Sequence, residues 1–554
     1  MIVDMTSLIL VYAAWLIFSA KRLLTYTHVL QQEDYDDLRL FKWIGDNFAF
    51  DKRLSLFLLV TGSGLFALSK FMPRLFVPEL VPHFLVFTGL AVAIYREKDP
   101  RKNSKKKLVA TTRAKRIFFP ALALVALSGL WCFHVPDHPW IWIFNVQLIP
   151  LILIIVNLLL QPFEHGIQKR YWNEAHQKVK AYEPTIIGIT GSFGKTSVKH
   201  ILGHILKTQA PTLITPGSVN TPMGITRIVR EQLEENHRYL VVEMGAYGPG
   251  SIERLCTLTP PDMGIITAIG HAHYERFKTL ESVAKAKFEL AEAVLEKDGM
   301  VIIHERTLRF PIPEKLKDDH PSNFIVCGDA PDIFSKANDD HEISHIASDD
   351  LHIISIKQST KGLGVDLRWK GESYSLFLPL FGVHHGHNAA LAFAAAMELG
   401  IPADKIKTAL RSLPQIEHRL EVRKQPDGTT LIDDAFNSNP IGFNSALGLL
   451  ATLGRQGRKI LITPGMIELG HAHNDAHEKI GSYAGEVCDI AIVIHGKRIP
   501  TFIQGFKSTG SGKPLHEFAS FQDAQGWLRE NKQDGDIILI ENDLPDIYER
   551  VPKI

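Results

Sequence analysis

Long apolar runs dominate the first 160 residues of the chain. Several approach the roughly 20 residues that an α-helix needs to cross a bilayer, and no small-residue cleavage site follows the first run. The pattern predicts a transmembrane helix bundle over 1–160 with about five spans. They lie at about 3–20, 54–72, 76–95, 118–135 and 140–160.

Charges between these runs predict their orientation. Segment 96–117 is rich in Lys and Arg, whereas the short connection "HVPDHP" contains neither. The positive-inside rule places 96–117 in the cytoplasm and, by alternation, everything after residue 160 as well. The prediction is a multi-pass protein of a cytoplasmic (inner) membrane. The alternative is that one or two of the runs are buried core helices.

After residue 160, short apolar runs alternate with amphipathic patterns, which is typical of parallel α/β architecture. A β-rich patch at about 340–380 interrupts the alternation. A second block begins near residue 415 with "TTLIDDAF", "KILITPG" and "DIAIVIHG". The expected fold class is therefore α/β, with a central domain at 181–410 and a C-terminal domain at 415–554. The polar segment 305–350 has no clear pattern.

The stretch "ESVAKAKFELAEAVLEK", which begins at Glu281, predicts an amphipathic helix with one exceptional lysine. At 100° per residue, Lys285 falls on the polar face and Lys287 points into the apolar face. Taken alone, such a lysine indicates a side chain that snorkels at the edge of the core. If Lys287 is buried, its pKa is lowered.

Composition limits the function classes. The net charge of +1 over 554 residues gives no global field that would attract nucleic acid. The four cysteines are far apart and form no CxxC pair. This spacing argues against a zinc site or a disulfide scaffold and is typical of a reducing compartment.

The segment "PTIIGITGSFGKTSVKHILGHIL" reads as a strand, a glycine loop and a helix. Loop N–H groups and the helix N-terminus bind phosphate, the lysine reaches the β- and γ-phosphates, and the hydroxyl after it ligates Mg²⁺. The loop is one residue shorter than the common G-x-x-x-x-G-K-[ST] pattern. The candidate ATP-binding residues here are Gly191, Ser192, Gly194, Lys195, Thr196 and Ser197.

Two further apolar runs end in polar residues. Glu243 ends the run in "RYLVVEMGA", and His271 and His273 follow the run in "GIITAIGHAH". The carboxyl ends of parallel strands are where α/β sheets bind ligands, so these side chains are candidate Mg²⁺ or phosphate contacts. Ordinary structural residues at strand ends remain the alternative.

These motifs in this order resemble the Mur ligase family. The elements are T-G-S-x-G-K-T-S, V-V-E-M-G-A, A-H-x-E-x-F and A-K-x-E, followed by "FGVHHGHNAALA", "EHRLE", "LIDDAFNSNP" and "TPGMIELGHAHNDAHEKIG". They cover roughly 181–554, and the closest branch is that of the UDP-N-acetylmuramoyl-tripeptide–D-alanyl-D-alanine ligases. The resemblance implies a P-loop central α/β domain followed by a Rossmann-like C-terminal α/β domain.

The resemblance also implies roles for individual residues. Lys195, Lys287 and His273 would be catalytic. Thr196 and Glu243 would hold one Mg²⁺, and His273 and Lys287, carbamylated by CO₂, a second. Further ATP contacts would come from Asn388, Arg419 and Asp434, the last two on closure of the domains, and substrate contacts from Asn220, Thr221, Asn437 and Asn439. For Asn220 and Thr221 a plain turn is the alternative.

The implied activity is ATP-dependent amide bond formation through an acyl phosphate. The implied partners are ATP, a carboxylate acceptor such as a muropeptide or a lipid-linked molecule, and an amino acid or dipeptide amine. Peptidoglycan precursor or envelope polymer synthesis at the inner membrane of a bacterium is the expected setting, with the catalytic domains in the cytoplasm and the membrane itself as a partner.

Two departures from the family pattern bear on the substrates. The apolar region occupies the place of the family's UDP-sugar domain. The family's K-G-S-R element, which helps to hold the incoming amine, is replaced by "IENDL", with Glu541 and Asn542 after the apolar run. Two alternatives remain open: a membrane-bound poly-γ-glutamate synthase-like ligase, and a P-loop ATPase of transport or signalling.

Overall fold

The computed structural model describes two units of the chain, one up to Gln168 and one formed by Lys169–Asp543. The residues that it describes are 5–47, 51–71, 80–103, 107–134, 140–270, 277–330, 347, 350–436, 438–454, 457–467, 469–510 and 512–543.

The first unit is helical. Each predicted apolar run falls largely on helix, and two short helices, α2 and α5, lie between the runs. The helices are α1 (Met5–Gln32), α2 (Asp37–Asp46), α3 (Lys52–Phe71), α4 (Leu80–Arg96), α5 (Pro100–Asn103), α6 (Thr112–Trp131), α7 (Ile141–Val146) and α8 (Ile149–Tyr182), the last ending in the second unit.

The predicted number of about five transmembrane helices stays a prediction. Among the described residues, three helices are long and apolar enough to cross a membrane by length and composition: Met5–Gln32, Thr112–His134 and Ile149–Tyr182. Helix α4 has only 17 residues. The run at 140–160 is divided, because α7 ends at Val146 before α8 begins at Ile149.

The helices of the first unit also bury charge. Arg22 on α1 donates hydrogen bonds to Asp51 at 2.7 Å and to Glu97 at 3.0 Å, and all three side chains are almost fully enclosed. A buried guanidinium is tolerated only when it is paired and hydrogen-bonded. This part of the helix bundle is therefore fixed by polar contacts as well as by apolar packing.

The second unit begins with a nine-stranded sheet, and the predicted α/β class is confirmed here. The strands are β1 (Thr185–Thr190), β2 (Thr212–Ile214), β3 (Tyr239–Glu243), β4 (Met263–Ile266), β5 (Met300–His304), β6 (Phe324–Asp329), β7 (Leu351–Ser359), β8 (Gly362–Trp369) and β9 (Glu372–Leu378). Their spatial order is β2-β3-β1-β4-β5-β6-β7-β8-β9. Strands β2 to β7 pair in parallel with β1 or with one another, and β7–β9 form the predicted β-rich patch as an antiparallel meander.

Helices cover both faces of this sheet, as parallel strands require. The helices are α9 (Lys195–Lys207), α10 (Pro222–Gln232), α11 (Ser251–Leu258), α12 (Leu280–Leu295), α13 (Pro311–Asp319), α14 (His384–Glu398) and α15 (Ala403–Arg411). One buried apolar cluster joins the strands to α9 and α14, and another joins them to α10, α11 and α12.

A six-stranded sheet forms the C-terminal part, in the order β10-β11-β15-β12-β13-β14. Strand β10 is antiparallel to β11 and the other pairs are parallel. The strands are β10 (Glu421–Lys424), β11 (Thr430–Asp434), β12 (Lys459–Thr463), β13 (Ile490–Ile494), β14 (Leu515–Phe518) and β15 (Ile537–Glu541). The helices are α16 (Pro440–Leu453), α17 (His473–Val487), α18 (Pro500–Ser508) and α19 (Phe521–Asn531).

Strands β11, β12 and β13 lie on the three apolar sequence runs that indicated the second block, "TTLIDDAF", "KILITPG" and "DIAIVIHG". The domain boundaries 181–410 and 415–554 stay predictions, because the structure places both α/β blocks in one unit. Segment 305–350, which had no clear sequence pattern, contains α13 and the core strand β6. Residues 331–346 and 348–349 lie outside the described part.

Candidate active site

The glycine loop follows β1 at the carboxyl edge of the large sheet, as predicted. Gly191 has a φ of 147°, and a Cβ there would lie 1.9 Å from Thr267 Oγ1, so only glycine fits. Gly194 has a φ of 84° and caps α9, which begins at Lys195. Thr267, which follows β4, donates a hydrogen bond to the Phe193 carbonyl and so holds the loop from the neighbouring strand.

Lys195 lies folded over the loop. Its Nζ donates to the carbonyls of Gly191 at 2.6 Å and Ser192 at 3.2 Å. Burial lowers the pKa of Lys195, with Arg419 adding to the effect and Glu243 opposing it. The side chains of Ser192, Thr196 and Ser197 are largely enclosed. The loop thus brings a cation and backbone N–H groups to a helix N-terminus, which is an anion-binding arrangement.

Glu243 ends β3, next to β1, and faces the loop. Thr196 Oγ1 donates to its Oε2 at 3.0 Å, and Asn220 Nδ2 donates to its Oε1 at 3.1 Å. Burial alone would raise the pKa of Glu243, but Lys199, Lys195 and the hydrogen bond from Asn220 outweigh it and lower the pKa. The carboxylate is therefore charged at neutral pH although it is 1% exposed.

Lys287 lies on α12 with 4% of its surface exposed, whereas Lys285 is exposed. The predicted helix and the predicted contrast between its two lysines are both confirmed. Helix α12 approaches the sheet closely, because Leu290 packs over Gly188 of β1 and Gly264 of β4. Lys287 comes one turn earlier, towards the carboxyl edge, where Lys195 affects it electrostatically.

Burial, followed by the repulsion of Lys195, lowers the pKa of Lys287 well below its usual value. Such an amine loses its proton more readily than a solvated one. His273, the other residue expected at this position, lies outside the described residues.

Two residues from farther along the chain reach the loop. A Cβ on Gly194 would lie 2.5 Å from Asn388 Oδ1, so Asn388 at the start of α14 borders the loop. Arg419 lies over the ring of Phe436 at 4.5 Å and is close enough to Lys195 to lower its pKa. The glycine loop, helix α14 and the C-terminal block thus contribute to one polar region.

Of the four predicted substrate-binding residues, Asn220 contacts the site, through its hydrogen bond to Glu243. Thr221 and Asn439 cap helices: Thr221 accepts from Gly224 N at 3.3 Å, and Asn439 accepts from Gly442 N at 3.0 Å. Asn437 lies outside the described residues. Helix capping therefore explains the presence of Thr221 and Asn439 without any contact to a substrate.

Asp434 ends β11 directly beside Glu541 at the end of β15, and both side chains are buried. Burial raises the pKa of Asp434 to about 7, against an opposing effect of Arg419. Burial and the neighbouring Asp434 raise the pKa of Glu541 well above its usual value. Two adjacent buried carboxyl groups cannot both ionise without a large cost.

We expect Glu541→Gln to raise the apparent melting temperature at pH 8 by about 2–4 °C and to change it little at pH 4. Both pKa values lie above those of the unfolded chain, so the native pair costs stability as pH rises from about 4 through 7. Scanning calorimetry between pH 4 and pH 8 measures the melting temperature of Glu541→Gln and the parent. Glu530→Gln, at an exposed position, is the control. A variant that is less stable at pH 8 than the parent would contradict the expectation.

The residues around the loop suit a magnesium ion. Glu243 and Thr196 offer a carboxylate and a hydroxyl oxygen 3.0 Å apart, the donors that Mg²⁺ prefers. Within the described ranges, no group of three or more His, Cys, Asp or Glu residues could hold a metal by itself. That agrees with a site completed by substrate phosphates and water, as Mg²⁺ sites often are.

Sequence reasoning missed two features of this edge. Lys199, one helical turn after Lys195, is fully buried against Glu243; its position on the same helix face as Lys195 was the available signal. A polar cluster also follows β5 and β6, where His387 lies 2.9 Å from Asp329 and its ring is 5.2 Å from that of His304.

The comparisons with known proteins agree with this arrangement. Residues 189–396 match the family model of the Mur ligase middle domain, and residues 418–541 match that of the Mur ligase glutamate ligase domain. Together the two matches cover more than half of the chain. The protein is a member of the Mur ligase family. The resemblance predicted from the sequence is confirmed, and the ligase is an ATP-dependent enzyme that forms carbon–nitrogen bonds.

Individual relatives indicate the branch. A UDP-N-acetylmuramoyl-tripeptide–D-alanyl-D-alanine ligase from Bacillus subtilis (strain 168) is 27% identical over 356 residues, which are 64% of this chain and 72% of that protein. The ligase of the same name from Escherichia coli (strain K12) is 29% identical over 299 residues, 54% of this chain and 62% of that protein.

Among solved structures, the MurF ligase from Thermotoga maritima in complex with ADP matches with a TM-score of 0.55. Its sequence is 22% identical, and the match covers 68% of this chain and 80% of that chain. At this identity the likeness shows the fold alone, a MurF-like pair of α/β domains.

The predicted localisation of the ligase is wrong. The relatives are soluble cytoplasmic enzymes, and the three apolar helices of the first unit are candidate spans by length and composition only. The expectation of a multi-pass protein in a bacterial inner membrane was drawn from apolar runs and loop charges. Those patterns do not separate a membrane span from a long buried helix.

Proposed function

We propose that the ligase transfers the γ-phosphoryl group of ATP to a substrate carboxylate and then joins the resulting acyl phosphate to an amine. The products are an amide, ADP and phosphate. The observation that carries this proposal is the convergence of Lys195, Thr196, Glu243 and Lys287 at one edge of the sheet. That edge combines an anion-binding loop with a charged carboxylate and a buried amine.

Both partners of the first step are anions, so positive charge must be held between them. Lys195 and the loop N–H groups would bind the phosphates. Thr196 and Glu243 would hold one Mg²⁺, and Lys287 and His273 a second; these ions would supply charge that offsets the repulsion. Asn388 would face the adenine.

For Lys287 we propose a carbamate. A neutral amine adds to CO₂ to give the carbamate anion and a proton, and the proton leaves to solvent. The strong burial of Lys287 and its lowered pKa support this chemistry, because the amine must be neutral to react. The carbamate would change a buried neutral amine into an anion that can ligate Mg²⁺.

Arg419 and Asp434 would contribute from the C-terminal block. Arg419 affects Lys195 electrostatically, and on closure it would contact the bound nucleotide. Closure of this region around the acyl phosphate would keep out water, which otherwise hydrolyses it.

We propose the substrates for which the relatives are named. The acceptor would be the carboxylate of a muramoyl-tripeptide, and the amine would be D-alanyl-D-alanine or a similar compound. The reaction would then be a step in peptidoglycan precursor synthesis. Asn220, which donates a hydrogen bond to Glu243, would contact the acceptor, and we propose the same role for Thr221, Asn437 and Asn439. The acceptor could be nucleotide-linked or lipid-linked.

A substrate screen separates these possibilities. Purified protein with ATP and Mg²⁺ is given soluble UDP-muramoyl-tripeptide or a lipid-linked muropeptide, each with D-alanyl-D-alanine or single amino acids, and products are identified by mass spectrometry. A peptidoglycan-type amide supports the proposal. Glutamate polymer identifies a poly-γ-glutamate synthase instead, and phosphate release without any amide identifies an ATPase.

A further inference from the structure

Lys199 is a buried lysine beside the glycine loop, and it has no role in the proposed mechanism. It lies on α9, four residues after Lys195, and none of its side chain is exposed. Its Nζ donates to Glu243 Oε2 at 2.8 Å and also to the carbonyl of Gly217. Gly217 belongs to the loop that leads to Asn220, so Lys199 joins helix, strand end and loop.

The contacts of Glu243 show why this lysine matters. Oε2 accepts from both Thr196 and Lys199, and Oε1 accepts from Asn220. A carboxylate that is 1% exposed needs a compensating charge, and Lys199 is the cation that touches it. Lys199 therefore supplies Glu243 with a compensating charge from within the fold.

A divalent cation at Glu243 would meet this ammonium. A divalent cation and an ammonium that share one carboxylate oxygen in a poorly screened site repel each other strongly. Either the lysine leaves Oε2 and keeps its bond to Gly217, or the cation binds less well. Both cases make Lys199 a determinant of the concentration at which Mg²⁺ binds.

We propose that Lys199 is a positioning residue that holds Glu243 in the nucleotide-free enzyme and competes with the divalent cation for Glu243 Oε2. The inference rests on the proposed role of Glu243 as a cation ligand. The inference adds that Glu243 Oε2 binds first the ammonium of Lys199 and then the divalent cation. Glu243 thus keeps its place while the enzyme is empty, and a set Mg²⁺ concentration is needed to displace Lys199.

The test measures how ADP binding to the full chain depends on Mg²⁺, by titration calorimetry at a series of Mg²⁺ concentrations. Lys199→Met removes the ammonium and keeps the length of the side chain. We expect its half-saturating Mg²⁺ concentration to fall about tenfold and its melting temperature without Mg²⁺ to drop. Lys199→Arg, which keeps the charge, should restore a near-parental Mg²⁺ dependence.

Lys207→Met is the matched control, because Lys207 is exposed on the same helix; its Mg²⁺ dependence should equal that of the parent. An unchanged or higher Mg²⁺ requirement in Lys199→Met would overturn the inference, even if stability fell, because a purely structural lysine predicts that result. If Lys199→Met does not fold, Lys199→Gln takes its place with the same expected decrease.

Glu243→Gln separates this inference from the proposed function. If Glu243→Gln binds ADP with the parental Mg²⁺ dependence, Glu243 is not a cation ligand and the proposed site itself fails. If Glu243→Gln loses the Mg²⁺ dependence while Lys199→Met keeps the parental value, only the inference about Lys199 fails.

Discussion

Lys287→Ala is expected to lower the rate of amide formation by at least about 10³-fold, the scale of losing a group that stabilises charge in the transition state. Alanine removes the amine on which the proposed carbamate forms, and with it one ligand of the second Mg²⁺. Product formation is followed by mass spectrometry under saturating ATP. Small carboxylates or bicarbonate in the assay should restore part of the rate.

The chain provides its own control for this experiment. Lys285 lies two residues earlier on the same helix, is exposed, and has no proposed role. Lys285→Ala should form amide at close to the parental rate. If Lys287→Ala were fully active, Lys287 would have no place in the site; if both variants lost activity alike, the effect would belong to the stability of the helix.

Lys195→Met is expected to lower kcat/KM for ATP by about 10³-fold or more. The substitution removes the ammonium that would form an ion pair with the ATP phosphates, while the length of the side chain is kept. The folded state should remain, since Lys195 bonds only loop carbonyls in this structure. Steady-state kinetics with varied ATP measure the effect. A variant within tenfold of the parent would show that the loop does not carry the nucleotide.

The parts of the fold and site that could be predicted have strong local signals. The glycine loop, the strand ending at Glu243 and the helix of Lys287 each combine a periodic apolar pattern with a residue that breaks it. In a parallel sheet, such residues at strand ends meet at one edge. The burial of Lys287 and the exposure of Lys285 followed from helix periodicity alone.

Other features depend on contacts between distant parts of the chain. In sequence, Lys199 resembles an ordinary helix lysine, and only the position of Glu243, on a strand three elements later, shows its partner. Strand β6 was missed because it lies inside a polar segment. The roles of Thr221 and Asn439 were readable: each precedes a proline at the first helical position, which is typical of an N-cap.

The N-terminal helices show the limit of an argument from apolar runs. The described parts of all five runs fall largely on helices, and three described helices are long and apolar enough to cross a membrane. A helix that packs Trp15 and Phe18 into a core shows the same hydropathy as a helix that faces lipid. Run length by itself therefore suggested a localisation that the relatives contradict.

The transfer of oxygen between substrates tests the central claim most directly. The acceptor found in the substrate screen is labelled with ¹⁸O in its reacting carboxylate, and the phosphate released during amide formation is examined by mass spectrometry. Attack of the carboxylate on the γ-phosphoryl group predicts one ¹⁸O in each phosphate formed together with an amide. Phosphate that carries only oxygen from water, or that appears without an amide, would contradict an acyl-phosphate ligase.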